Sequence, residues 1–246
     1  VVRQLIVGNW KMNGLLAEAS LLAQSVREGS AGLACDMLIC PPFTALTTVA
    51  AVLAGSEVQL GGQDCHMAET GAFTGDISAA MLHEIGARFV ILGHSERRAF
   101  HAEIDEIVRE KTVAALAGGL TPIVCVGETG DQRREGQAME TVGWQLECSL
   151  PKGFAGVVAY EPRWAIGTGV TPTKDEIAEM HGFIRAELVR QFGASGKATR
   201  ILYGGSVKAA NAAMVLSVPE VGGVLIGGAS LVAAEFLAIA RAAAPL

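Results

Sequence analysis

The chain reads as an α/β protein of the closed (β/α)8 barrel type, and three observations lead there. Eight short apolar runs recur along its 246 residues, each followed by a longer segment with helical signals. The runs are continuously hydrophobic rather than alternating, as expected of parallel strands covered on both faces. Their spacing is roughly 30 residues, the size of one strand–helix unit. An open doubly wound sheet satisfies the same periodicity, which cannot see closure. The barrel is preferred because the sequence starts with a strand, ends with a helix and holds eight pairs, so residues 1–246 are expected to form one domain.

In order, the strand-like runs are residues 4–7, 37–40, 58–60, 89–92, 122–126, 157–160, 200–203 and 224–226. The second opens a charge-free stretch, 37–56, long enough to raise the question of a membrane span. Pro41-Pro42 divides it into a strand-like piece and an alanine-rich helical piece, so it reads as buried core. Between the fourth and fifth runs, Ile104, Ile107, Val108 and Ala115 mark the apolar face of a helix. Its outer side carries Asp105, Glu106, Arg109, Glu110 and Lys111. Between the sixth and seventh, Thr173-Lys174-Asp175-Glu176 spells a capping box, followed by an apolar face at Ile177, Met180, Ile184 and Leu188. No linker or composition shift divides the chain.

Composition narrows the function classes. Half the residues are hydrophobic, which argues against disorder. A formal charge of −6 carries no electrostatic footprint for nucleic acid or an anionic membrane. The five cysteines (Cys35, Cys40, Cys65, Cys125 and Cys148) are odd in number and scattered. None has metal-site spacing, so no metal is expected, and reduced thiols in a cytoplasmic protein are the simplest reading. No secretory signal is visible, because Gly8-Asn9 ends the first apolar run. Thirty glycines, against an average usage of about 7%, ask for a location.

Barrel active sites are built from the loops that follow the strands. Past the first, fourth and sixth runs stand Lys11, His94 and Glu161. A carboxylate, an imidazole and a fixed cation at one mouth suit proton abstraction beside a carbonyl. The carboxylate takes the proton while the other two stabilise the charge that develops on oxygen. Past the seventh and eighth runs come Gly204-Gly205-Ser206 and Gly227-Gly228, each leading toward a helix. Such turns let backbone N–H groups approach an anion, which points to a phosphate.

Six segments resemble the triosephosphate isomerase family in order along the chain: Gly8-Asn9-Trp10-Lys11-Met12-Asn13, Ile91-Leu92-Gly93-His94-Ser95-Glu96-Arg97-Arg98, Ala159-Tyr160-Glu161-Pro162, Trp164-Ala165-Ile166-Gly167-Thr168-Gly169, Tyr203-Gly204-Gly205-Ser206-Val207 and Gly227-Gly228-Ala229-Ser230-Leu231. Gly71-Ala72-Phe73-Thr74-Gly75 in the third loop belongs to the same pattern.

The resemblance implies interconversion of dihydroxyacetone phosphate and D-glyceraldehyde 3-phosphate, a step of glycolysis and gluconeogenesis, through an enediolate and without cofactor or metal. It implies that Glu161 is the base, His94 a neutral electrophile beside a helix N-terminus, and Asn9 and Lys11 the contacts to substrate oxygens. Glu96 stands beside the site. The phosphate falls to Gly167, Ser206, Gly227 and Gly228, whose local field outweighs the screened net charge. Residues 162–172 resemble a lid, containing Pro162, Trp164, Ala165, Ile166, Gly167, Thr168 and Gly169. The third loop, 63–76, implies a homodimer in which Thr74 reaches toward the partner's site. Another phosphate-binding barrel enzyme, such as a sugar-phosphate epimerase, and an inactive homologue are the alternatives. Two departures stand out: Arg163 where the family usually has a small aliphatic residue, and Gly222 where an aspartate is common.

Overall fold

The computed structural model describes residues 3–165 and 172–243. Eight parallel strands close on themselves in chain order, with the first paired to both the second and the eighth. The first half runs β1 (Leu5–Asn9), α1 (Leu16–Gly29), β2 (Asp36–Cys40), α2 (Leu46–Leu53), β3 (Gln59–Gly62), α3 (Ala79–Glu84) and β4 (Phe89–Leu92). Two helices follow, α4 (Ser95–Phe100) and α5 (Asp105–Ala117), and then β5 (Thr121–Val126), α6 (Gly130–Arg134) and α7 (Ala138–Ser149). The chain continues through β6 (Val157–Tyr160), α8 (Lys174–Phe192), α9 (Ala194–Ala198) and β7 (Arg200–Tyr203). It ends with α10 (Ala209–Leu216), β8 (Gly223–Ile226) and α11 (Ala233–Arg241). Every apolar run of the sequence coincides with a strand to within about two residues.

The strands are buried on both faces, which is why their sequences do not alternate. One set of side chains, including Leu5, Val7, Leu38, Ile91, Ile123, Ala159, Leu202 and Leu225, forms a cluster inside the barrel. The intervening set, including Ile6, Ile39, Val90, Val124, Tyr160 and Ile226, packs outward against the helices. This parity positions the site. Asn9 continues the inward series of Leu5 and Val7, and Glu161 continues that of Val157 and Ala159.

Helix α8 follows the sequence reading closely. Thr173 caps it with the reciprocal Glu176 bonds, and Ile177, Met180, Ile184 and Leu188 are buried. Helix α5 corrects the reading at two positions. Ile104 is the residue before the helix and is 56% exposed, whereas Lys111, expected on the outer side, is 5% exposed. Its ammonium donates to both carboxylate oxygens of Asp64 at 2.9 and 2.8 Å and to Glu103 at 2.5 Å. Arg97 on α4 pairs with the same two acids, at 3.0 and 2.6 Å. Two cations facing two anions make burial tolerable, because each charge keeps a partner where water is excluded.

All five cysteines are free thiols, and four are buried. Among the described residues, no helix is long and apolar enough to cross a membrane. The 37–56 stretch is β2, a tight turn at Phe43–Ala45 and α2.

Candidate active site

Glu161 leaves β6 with its N–H bonded to Val126 O at 2.8 Å and its carboxylate 3% exposed. One oxygen accepts the Ser95 N–H at 2.9 Å. The other accepts the Ser95 hydroxyl at 3.3 Å and lies 3.0 Å from His94 Nε2. Burial alone would push this acid up, but His94 and the Ser95 N–H outweigh it and hold it below the usual carboxylate range.

His94 is the residue preceding α4, and its Nδ1 accepts the Glu96 N–H at 3.2 Å. A ring nitrogen that accepts cannot carry a proton, so the proton sits on Nε2, aimed at Glu161. Burial disfavours a charged ring; the facing Glu161 carboxylate outweighs that and raises the His94 pKa. Adding a second proton would nevertheless break the Glu96 N–H bond.

Lys11 has φ +53, a left-handed conformation that costs a residue with a side chain about 1 kcal/mol or more. Its backbone is held there from two sides. The Lys11 N–H donates to Asn9 Oδ1 at 3.0 Å, and Gln63 Nε2 donates to Lys11 O at 2.8 Å and to Cys40 O at 2.9 Å. The ammonium pairs with Glu96 Oε1 at 2.6 Å. Glu96 thus touches both Lys11 and His94.

Asn9, Lys11, His94 and Glu161 face a cavity of about 240 Å³. Its opposite wall is Gly204, Gly205, Ser206, Gly227 and Gly228. Two of these glycines, Gly204 and Gly205, are spatial necessities. A Cβ on Gly204 would stand 2.9 Å from Glu161 Cγ, one on Gly205 would overlap the Tyr203 hydroxyl, and one on Gly227 would come 3.1 Å from Lys11 Cε. Gly228, by contrast, has open space where a Cβ would be. After β8 the chain forms a single tight turn, Gly228–Leu231, and then enters α11. Gly222 keeps its backbone paired, donating to Ile201 O at 2.8 Å and accepting the Leu5 N–H at 3.0 Å.

Of the residues expected in the lid, Pro162, Trp164, Ala165 and Pro172 are described, whereas Ile166, Gly167, Thr168 and Gly169 lie outside the described residues. Trp164 Nε1 donates to Glu128 at 2.8 Å, and Arg163 donates its backbone N–H to Glu128 O at 3.1 Å. In the third loop, Thr74 is exposed, and the Phe73 ring lies against His66 with centroids 4.0 Å apart. Sequence reasoning missed Ser95, Gln63 and Glu128. Ser95 had a signal, since it directly follows His94 at a helix start. Gln63 and Glu128 act through contacts between loops, which spacing does not show. Among the described residues, no three His, Cys, Asp or Glu side chains are grouped to hold a metal ion.

Residues 4–243 match the family model described as triosephosphate isomerase. A triosephosphate isomerase of Granulibacter bethesdensis is 62% identical, over 99% of this chain and 100% of its own length. One from Gluconacetobacter diazotrophicus is 59% identical over the full length of both. A crystal structure of triosephosphate isomerase from Bartonella henselae superposes with a TM-score of 0.92 at 44% identity, covering 98% of this chain and 99% of that one. Strand order, an acid–imidazole pair at the barrel mouth, a glycine-rich wall and sequence identity along the whole length agree: this chain belongs to the triosephosphate isomerase family.

Proposed function

We propose that this enzyme interconverts dihydroxyacetone phosphate and D-glyceraldehyde 3-phosphate with Glu161 as the base that moves the proton. The observation that carries the reading is the Glu161–His94 pair, buried at 3.0 Å beside Lys11 and Asn9 in one cavity. Bound to Ser95 and His94, the carboxylate is a weak base. Exchanging those donors for a substrate C–H inside a desolvated cavity strengthens it when the reaction needs it. The His94 Nε2–H then serves the substrate oxygen, with Lys11 offsetting the enediolate charge and Asn9 donating its amide. Glu96 keeps Lys11 and His94 oriented.

The phosphate is assigned to the glycine wall, through backbone N–H groups of Ser206, Gly227 and Gly228 together with Gly167. Residues 162–172 are assigned as the lid that excludes water and retains the enediolate. The whole chain is taken as one barrel domain with its site at the C-terminal ends of the strands.

A homodimer is supported by exposed apolar side chains, among them Met12, Leu15, Phe43 and, in the third loop beside the exposed Thr74, Phe73. A cytoplasmic location fits the buried free thiols. Purified protein in a coupled assay with glyceraldehyde 3-phosphate should turn over substrate without added cofactor, and absence of turnover would overturn the reading. Sedimentation should return twice the 25.5 kDa chain mass.

A further inference from the structure

Glu128, in the loop after β5, is a fully buried carboxylate that the reaction above does not use. Its Oε1 accepts the Tyr160 hydroxyl at 3.0 Å and Trp164 Nε1 at 2.8 Å, while its carbonyl accepts the Arg163 N–H. These three donors flank Glu161 on both sides. Its one cationic partner among the described residues is Arg133 of α6, at 3.4 Å.

The Arg133 guanidinium makes two further contacts. It lies over the Trp164 ring, 4.6 Å from the centroid, and its Nη2 donates to Glu176 Oε1 at 2.6 Å. The other Glu176 oxygen is occupied by the Thr173 N–H and hydroxyl at the start of α8, at 2.7 and 2.9 Å. One planar cation therefore joins Trp164, just past the base, to the capping box that starts the next helix. A guanidinium suits this place because it stacks on an indole face while donating in its plane.

We propose that Arg133 is a positioning residue for isomerisation, clamping Trp164 to Glu176 and, through Glu128, holding the 160–164 segment that aims Glu161. The proposal rests on the isomerase reading and on Glu161 as its base. Among the described residues, Arg133 touches no group lining the substrate cavity, so its loss should act on the placement of the base more than on phosphate binding. Displacing a catalytic group by about 1 Å can cost up to about 10²-fold.

The test is steady-state kinetics on Arg133→Ala, Arg133→Lys and Glu176→Gln beside wild type, with thermal melting and a pH profile for each. Arg133→Ala is expected to lower kcat about tenfold while KM moves less than about threefold. Its acid limb in kcat/KM should shift to higher pH, because Glu161 loosened from Ser95 and His94 is less acidic. Arg133→Lys, which keeps charge without the stacking plane, should fall between. Glu176→Gln should lose a smaller factor alone and nothing further in the Arg133→Ala background.

A folded Arg133→Ala with wild-type kcat and an unmoved acid limb would overturn the proposal. So would a kcat loss that equals the unfolded fraction. If Arg133→Ala does not fold, the same two outcomes are read from Arg133→Lys. A wild type without isomerase turnover defeats the functional reading and this one with it, whereas an active wild type and an indifferent Arg133 variant defeat this one alone.

Discussion

His94 Nε2 stands 3.0 Å from Glu161 Oε1, and both side chains are almost wholly buried although they lie 67 positions apart, from Glu161 back to His94. The pair exists because two strand ends of one barrel open on the same mouth, one at the start of α4 and one after β6.

Glu161→Asp retracts the carboxylate by one methylene, away from Ser95 and His94 and from any substrate carbon between them. Turnover is expected to fall about 10²-fold or more, with thermal stability little changed. A coupled assay measures the first and a melting curve the second; full activity in this variant would remove Glu161 as the base.

Gly204→Ala should be nearly as damaging without touching a charge. The added methyl would lie 2.9 Å from Glu161 Cγ and 3.1 Å from Tyr160 O, so the Glu161 side chain must shift. A kcat loss of at least about tenfold is expected on this misplacement argument. Gly228→Ala, where the same methyl meets open space, should leave the resting site intact and act on KM for the phosphorylated substrate.

Lys111→Met tests the charge cluster under α4. Among the described residues it leaves the Asp64 and Glu103 carboxylates with Arg97 as their cationic partner, and breaking a buried pair typically costs about 3–5 kcal/mol. Burial already raises Asp64, with Lys111 opposing it, so removing the ammonium raises it further. An acid whose folded pKa lies above its unfolded value loses stability as pH rises through the folded value. The deficit of the variant, read by urea unfolding, should therefore be larger at pH 8 than at pH 5.

His181 on α8 supplies a separate pH signature. It is buried between Tyr160 and Tyr203, with ring centroids 6.0 and 6.3 Å away, and its Nδ1 contacts Glu220 O at 3.2 Å. Burial lowers its pKa from 6.5 to about 4. The unfolded chain therefore binds the proton first, and stability falls as pH drops from 6.5 toward 4. The full effect is about 3 kcal/mol. Urea unfolding at pH 7 and pH 4.5 should show this slope in wild type. His181→Leu should flatten it; an unchanged slope would exclude His181 as the group responsible.

Much of this was legible before any coordinates. Continuous apolar runs mark strands covered on both sides, and polar residues just past them mark the barrel mouth, so Lys11, His94, Glu161 and the glycine turns could be named, with Asn9 added by the family resemblance. The capping box at Thr173 could be read because it is local, all its bonds lying within four residues. Lys111 shows the opposite case. On a helix of alternating charges it looks like an outer residue, and only Asp64 from one loop and Glu103 from another make its burial possible. Ile104 is exposed because the helix begins one residue later than its apolar spacing suggests.

By itself, then, the sequence determined the strand–helix repeat, the residues at the strand ends and the chemistry they can perform. Periodicity and motif order are properties of neighbours along the chain. Closure of the barrel, the left-handed Lys11 held by Gln63, the Ser95 bonds to Glu161, and the Arg133–Glu128 contact were decided only by tertiary structure. Each is a contact between distant segments, and its energy depends on burial and distance, which no local pattern encodes.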